Sequence, residues 1–207
     1  MKNVLNLIYP ILAIFYLISL PYVPYLGSPL VKALPILLLA GLVFVYSNSQ
    51  KQLYLFAIGL VFSSMGDIVL ALTFSLSFVT GLGLFLVAHL FYIASFWLSS
   101  RVSFKSRQMQ IGIVALFAII MAIQILPRTG SMTLPVGLYL TVIAIMAVTA
   151  AIQQKQDKIF FVGAMVFMLS DGLIAWNKFI DPIPESRLLI MTTYYIAQGL
   201  LTKGKLS

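Results

Sequence analysis

FAIGLVFSSMGDIVLAL, from Phe56 to Leu72, is a run of mostly hydrocarbon side chains that carries one acid, Asp67. Its length suits a bilayer, because about 20 apolar residues of helix cross the hydrocarbon layer. A carboxylate at that depth is costly unless it is neutralised, paired or hydrated, so an intramembrane acid marks a functional site by default. A second stretch, FFVGAMVFMLSDGLIAW from Phe160 to Trp176, falls on the first when shifted by 104 positions. Phe56 lands on Phe160, Gly59 on Gly163, Asp67 on Asp171 and Ala71 on Ala175.

Composition agrees with a chain built for lipid. Of 207 residues, 61% are hydrophobic and 9% charged, where a water-soluble domain carries about 25% charged residues. Cysteine is absent, which excludes a disulfide framework and a thiolate metal site. The formal charge of +8 comes from bases in short connections between apolar spans, where they set topology. They form no basic stripe with stacking aromatics, so nucleic acid is not expected as a partner.

Working outward, eight spans read as transmembrane helices: Leu5–Val23, Leu30–Tyr46, Leu53–Leu72, Phe78–Leu98, Met109–Leu126, Leu134–Ile152, Ile159–Trp176 and Arg187–Leu201. The first is longer than a signal-peptide apolar core and has no small-residue cleavage site after it, so it reads as a retained helix. The break at Thr73–Ser77 is barely polar, and its hairpin must turn tightly. The expected fold is all-α, a polytopic bundle of eight transmembrane helices forming a single integral membrane domain over residues 1–207. With eight spans, Lys2, Lys51, Arg101, Lys105, Arg107, Lys155, Lys158, Lys203 and Lys205 share one side, against Lys32, Arg128, Lys178 and Arg187 on the other. The positive-inside rule then puts both termini in the cytoplasm, in a bacterial inner membrane. HLFYIAS (His89–Ser95) also resembles TTYYIAQ (Thr192–Gln198), which suggests a parallel repeat of helices three and four in helices seven and eight.

The chemistry-bearing residues gather toward one side. Asp67 lies 14 residues past Leu53, about 21 Å along a helix rising 1.5 Å per residue. Asp171 lies 12 residues past Ile159, about 18 Å by the same rise. Hydrocarbon surroundings favour an uncharged acid, while Lys32 or hydroxyl donors would keep the other acid ionised. A protonated acid working with an ionised one is the pattern for acid-catalysed cleavage of an acetal-like C–O bond. The same acids also read as packing partners of Ser, Tyr or Lys. His89, the one histidine, could relay a proton or bond a neighbouring helix. Lys32 could serve the site or snorkel to the surface. Ser63, Ser64 and Ser170 lie near the acids in sequence, where membrane serines usually bond backbone carbonyls. Tyr92, Tyr139, Tyr194, Tyr195 and Gln198 could hydrogen-bond a polar headgroup or join helices. One histidine with two aspartates makes a thin metal site.

In order along the chain stand G-D within SSMGDIVL, then Phe85, His89 and Tyr92 as F-x-x-x-H-x-x-Y. Gly163, Ala164, Phe167, Ser170 and Asp171 follow as G-A-x-x-F-x-x-S-D, then Tyr195, Ala197 and Gln198 as Y-x-A-Q. With Lys32 near the start of helix two, this pattern resembles the YhhN family, whose characterised members are lysoplasmalogenases. The likeness runs from about Lys32 to Gln198, with one departure at Ala33, where many members carry proline. The resemblance implies an integral membrane hydrolase that cleaves the vinyl ether of lysoplasmalogens into a fatty aldehyde and a glycerophospho-base. Asp67 and Asp171 would be its catalytic acids. Lys32, His89, Tyr92, Tyr139, Ser170, Tyr195 and Gln198 would bind the lysophospholipid, drawn from the surrounding membrane lipids. No metal, nucleotide or redox cofactor would be required, and the oligomeric state is left open. A proton-coupled transporter and a non-catalytic lipid-binding protein are the rival readings of an acid-bearing bundle.

Overall fold

The computed structural model describes residues 3–154 and 158–206. Lys2 and Lys155, both used in the charge count, lie outside the described residues. Eight α-helices follow one another: α1 (Tyr9–Ser19), α2 (Ser28–Tyr46), α3 (Lys51–Ala71), α4 (Ser77–Trp97), α5 (Gln108–Ile125), α6 (Thr133–Ala151), α7 (Lys158–Phe179) and α8 (Ser186–Leu206). A π-turn at Val4–Ile8 and a 3-10 turn at Leu20–Tyr22 extend α1 at its two ends. No β-strand occurs among the described residues.

Local sequence explains the breaks. Gly27 adopts φ +83°, a left-handed conformation that glycine tolerates, and Pro29 then opens α2 where its missing N–H goes unneeded. Asn48 and Ser49 turn the chain between α2 and α3 with positive φ. The tight turn expected at Thr73–Ser77 is present: α3 ends at Ala71, Leu72 is extended, and α4 starts at Ser77. Among the described residues, seven segments are long and apolar enough to cross a bilayer by length and composition alone. The remaining helix, α8, carries Tyr194, Tyr195, Gln198 and Thr202 on its buried face and ends in lysines, which lowers its hydropathy. At 21 residues it is still about 31 Å long, enough to span. Large apolar side chains stay exposed, among them Ile14, Phe15 and Ile18 on α1 and Leu116, Ile119 and Ile123 on α5. Lipid is as apolar as these groups and covers them without penalty. The chain is therefore a multi-pass integral membrane protein.

The chain divides into two compact units, residues 1–95 with 205–207, and residues 96–204. In the first, α2 packs along α3. The α3–α4 hairpin closes over Gly59, where an added Cβ would stand 2.5 Å from the Tyr92 ring. The carbonyl of Gln52 accepts from Ser95, whose own carbonyl accepts from Lys205. In the second unit, α5, α6 and α7 pack on one another. There α8 closes on α7 at Gly163, where a Cβ would stand 3.0 Å from Leu200 Cβ and from the Leu201 backbone nitrogen. Gln153 donates to the carbonyls of Phe96 and Thr149, and backbone bonds from Val102 N–H to the Ile152 carbonyl and from Gln154 N–H to the Ser100 carbonyl tie the Ser99–Ser103 connection to the end of α6. Arg101 in that connection lies over the Trp97 ring, 3.9 Å from its centroid.

Candidate active site

Antiparallel hairpins bring together residues at equal distances from their turn. Lys32 stands 16 residues before Asn48, and Asp67 stands 18 after Ser49. They meet in the first unit: Lys32 Nζ lies 3.4 Å from Asp67 Oδ1 and donates to the Asp67 carbonyl at 3.2 Å. Both are buried, with 9% and 2% of their surface exposed. This ion pair is enclosed in protein rather than open to lipid or water, so its two charges depend on each other. Gly66, beside the acid, lets the Phe85 ring of α4 close over α3.

The second acid follows the same rule with a different partner. Tyr139 lies 13 residues before Ile152, and Asp171 lies 13 after Lys158. In the second unit the Tyr139 hydroxyl donates to Asp171 Oδ2 at 2.5 Å. Asp171 is only half-buried. It lines a cleft among α5, α6 and α7 whose other walls include Phe117, Met121, Val136, Leu140 and Gly172. Apart from Asp171 and Tyr139, the residues lining that cleft are apolar.

The remaining sequence candidates are placed as follows. His89 is fully buried on α4, and its Nδ1 lies 2.6 Å from the Phe85 carbonyl of its own helix. A carbonyl only accepts, so Nδ1 carries the proton and, in the neutral ring, Nε2 presents a lone pair. Tyr92 shares a hydrogen bond of 3.1 Å with Ser63 and packs on Phe56. Ser170 precedes Asp171 but donates across to the Ile190 carbonyl of α8 at 3.0 Å, which joins two helices. Tyr195 packs beside Tyr194, and Gln198 is fully buried one turn further along α8. The structure thus joins Lys32 to Asp67 and Tyr139 to Asp171, while Tyr92, His89 and Ser170 bond within the packing of their own units. Among the described residues, no three His, Asp or Glu side chains gather as a metal centre needs.

The cleft walls on α5 escaped the sequence reading. Phe117, Met121 and Ile125 repeat at four-residue spacing, and Val136, Leu140 and Ile143 on α6 repeat at four and three. Those periods mark one face of each helix. In helices apolar on every side, however, no face stands out.

Fold and residues together define a class: a multi-pass α-helical membrane protein with a buried acid in one hairpin and a half-buried acid in another. The sequence profile of the YhhN family matches residues 27–205, and the chain belongs to that family. Lysoplasmalogenase TMEM86B of Homo sapiens is 35% identical over 183 residues, covering 86% of this chain and 75% of that protein. Lysoplasmalogenase TMEM86A of Homo sapiens is 35% identical over 191 residues, covering 84% of this chain and 76% of that protein. A lysoplasmalogenase of Mycobacterium tuberculosis is 29% identical over 182 residues, covering 86% and 69%. No solved structure matches the chain.

Proposed function

We propose that this protein is a lysoplasmalogenase, a hydrolase that splits the vinyl ether of a lysoplasmalogen into a fatty aldehyde and a glycerophospho-base. Family membership and relatives of that name support the reaction class. The observation that carries the chemistry is the Asp171 carboxyl under the Tyr139 hydroxyl in an apolar cleft. Vinyl ethers resist bases and nucleophiles and yield to acid, so the reaction needs a proton donor aimed at carbon.

The two acids differ in their partners. Asp171 faces a neutral phenol and apolar walls, which suit an uncharged acid. Asp67 faces the Lys32 ammonium, which suits a carboxylate held within its own unit. Asp171 gives its proton to the alkenyl carbon β to the ether oxygen. The double-bond electrons form the new C–H bond, and an oxygen lone pair closes to give an oxocarbenium ion. Water adds at the carbon next to oxygen, and the Asp171 carboxylate takes the proton that this water loses. The hemiacetal then collapses: Asp171 gives that proton to the leaving oxygen, the C–O bond to glycerol breaks, and the hydroxyl proton returns to Asp171. Asp171 ends as it began. Proton transfer alone completes the cycle, without a metal, nucleotide or redox cofactor. On this reading a lysophospholipid reaches the enzyme from the bilayer. The basic connections and both termini face the cytoplasm, and the membrane is a bacterial inner membrane.

The test is aldehyde release from lysoplasmenylethanolamine by the purified protein in deuterated water, with the product reduced at once to the alcohol. One deuterium is expected on the carbon next to the former carbonyl. Asp171→Asn should lower kcat by about 10²- to 10⁴-fold, the usual loss for a general acid. Undiminished turnover in that variant would refute the assignment.

A further inference from the structure

The space beside Asp171 measures about 30 Å³. That is about the share of one water molecule in the liquid, too little for a headgroup or a folded chain. Two features decide what fits. The walls are apolar except for Asp171 and Tyr139, which bond each other and stand on one side of the space. A bound water needs about 2–4 polar partners, and the other nine lining residues offer none, so most of the lining suits carbon. The space also exists because residue 172 is glycine. A Cβ there would stand 3.4 Å from Met121 Sδ and 3.6 Å from Phe117 Cζ. Those are ordinary contact distances, so a methyl group fits there and occupies the room.

We infer that this cleft is the subsite for the alkenyl carbon that receives the proton, and that Gly172 sets its size. The inference rests on the proposed vinyl ether hydrolysis and assigns its carbon-binding residues. Protonation of carbon competes with protonation of water. A cleft whose walls are almost all apolar favours a carbon group over water at the place where the proton is handed over. Leu140 borders both this cleft and a larger apolar groove of about 420 Å³ between α5 and α6. That groove gives the rest of the aliphatic chain a direct continuation, and its volume lies within the ordinary range of small-molecule sites.

The full chain in detergent micelles is assayed as Gly172→Ala and as Phe117→Trp, which crowd the cleft from different helices. The second variant keeps the test alive if the first does not fold. In each, kcat/KM for lysoplasmenylethanolamine should fall about tenfold or more, since one misplaced methylene in an apolar pocket costs on that scale. The melting temperature of Gly172→Ala should hold or rise. A lysophosphatidylethanolamine with a saturated 1-O-alkyl chain, which acid does not cleave, serves as the binding probe and should bind both variants more weakly. Wild-type turnover with unchanged kcat/KM in both variants overturns the subsite and leaves the proton donor standing. If the wild type releases no aldehyde, the proposed function fails, and the probe decides the subsite alone: weaker binding in the variants supports it, equal binding overturns it.

Discussion

Asp67 in the first unit and Asp171 in the second sit on the later helix of an antiparallel hairpin, opposite a residue of the earlier helix. Their partners differ in kind. Asp67 meets an ammonium group and is sealed at 2% exposure, whereas Asp171 meets a phenol and lines a cleft. The shift of 104 positions that aligns the acids carries Lys32 onto Val136 and Pro35 onto Tyr139. The cation of one hairpin is thus an apolar cleft wall in the other. The helix-interior proline of α2 becomes the hydroxyl donor of α6. Different residues opposite the acid, a lysine in one hairpin and a tyrosine in the other, go with a sealed ion pair in one unit and a more accessible acid in the other. The charge of a buried acid is set by what the neighbouring helix presents, since in low dielectric a single partner outweighs everything farther away.

The largest effect that would sharpen this contrast is on stability in the first unit. Lys32→Met strands a carboxyl in a sealed site, and breaking a buried pair costs about 3–5 kcal/mol. Adding Asp67→Leu should recover most of that loss, as buried pairs replaced by apolar groups often do. Melting in detergent reads both outcomes; an unchanged Lys32→Met would show that the pair is not the structural core of its unit. In the second unit the corresponding change is Tyr139→Phe. It removes one hydrogen bond, worth about 1 kcal/mol, so stability should barely move. Aldehyde release should fall about tenfold, the rate equivalent of about 1.4 kcal/mol. A large stability loss in Tyr139→Phe, comparable with Lys32→Met, would erase the distinction between the two hairpins. The smallest effect belongs to Ser170→Ala, one residue from the acid. Its hydroxyl joins α7 to α8, and such membrane hydrogen bonds average about 0.6 kcal/mol. A collapse of kcat in Ser170→Ala with intact folding would move that serine into the reaction.

Much of this arrangement was legible in the residues. Apolar length located all eight helices to within a few residues along most of the chain, because a bilayer admits few other ways to satisfy backbone hydrogen bonds. The largest departures were at α1, whose ends are a π-turn and a 3-10 turn rather than α-helix, and at α8, which runs on to Leu206 where the apolar run had already stopped at Leu201. The lysine was anticipated as a stabiliser of one acid, and the hairpin fixes that acid as Asp67. Tyr139 was read as a headgroup ligand or a link between helices, and its hydroxyl joins α6 to Asp171 on α7. Ser170 stood next to Asp171 in sequence, yet successive helix residues point about 100° apart, and its hydroxyl turned to α8.

The sequence by itself determined that the chain lives in a bilayer, where its helices begin and end, and which two acids lie deep within them. Burial in hydrocarbon depends on runs of residue types, and runs are written in the chain. Only the tertiary structure decided that Asp67 pairs with an ammonium while Asp171 lines a small, mostly apolar cleft beside a phenol. That outcome turns on how each helix is rotated about its axis. In helices as uniformly apolar as α5 and α6, no polar face records the rotation, and side-chain packing sets it instead.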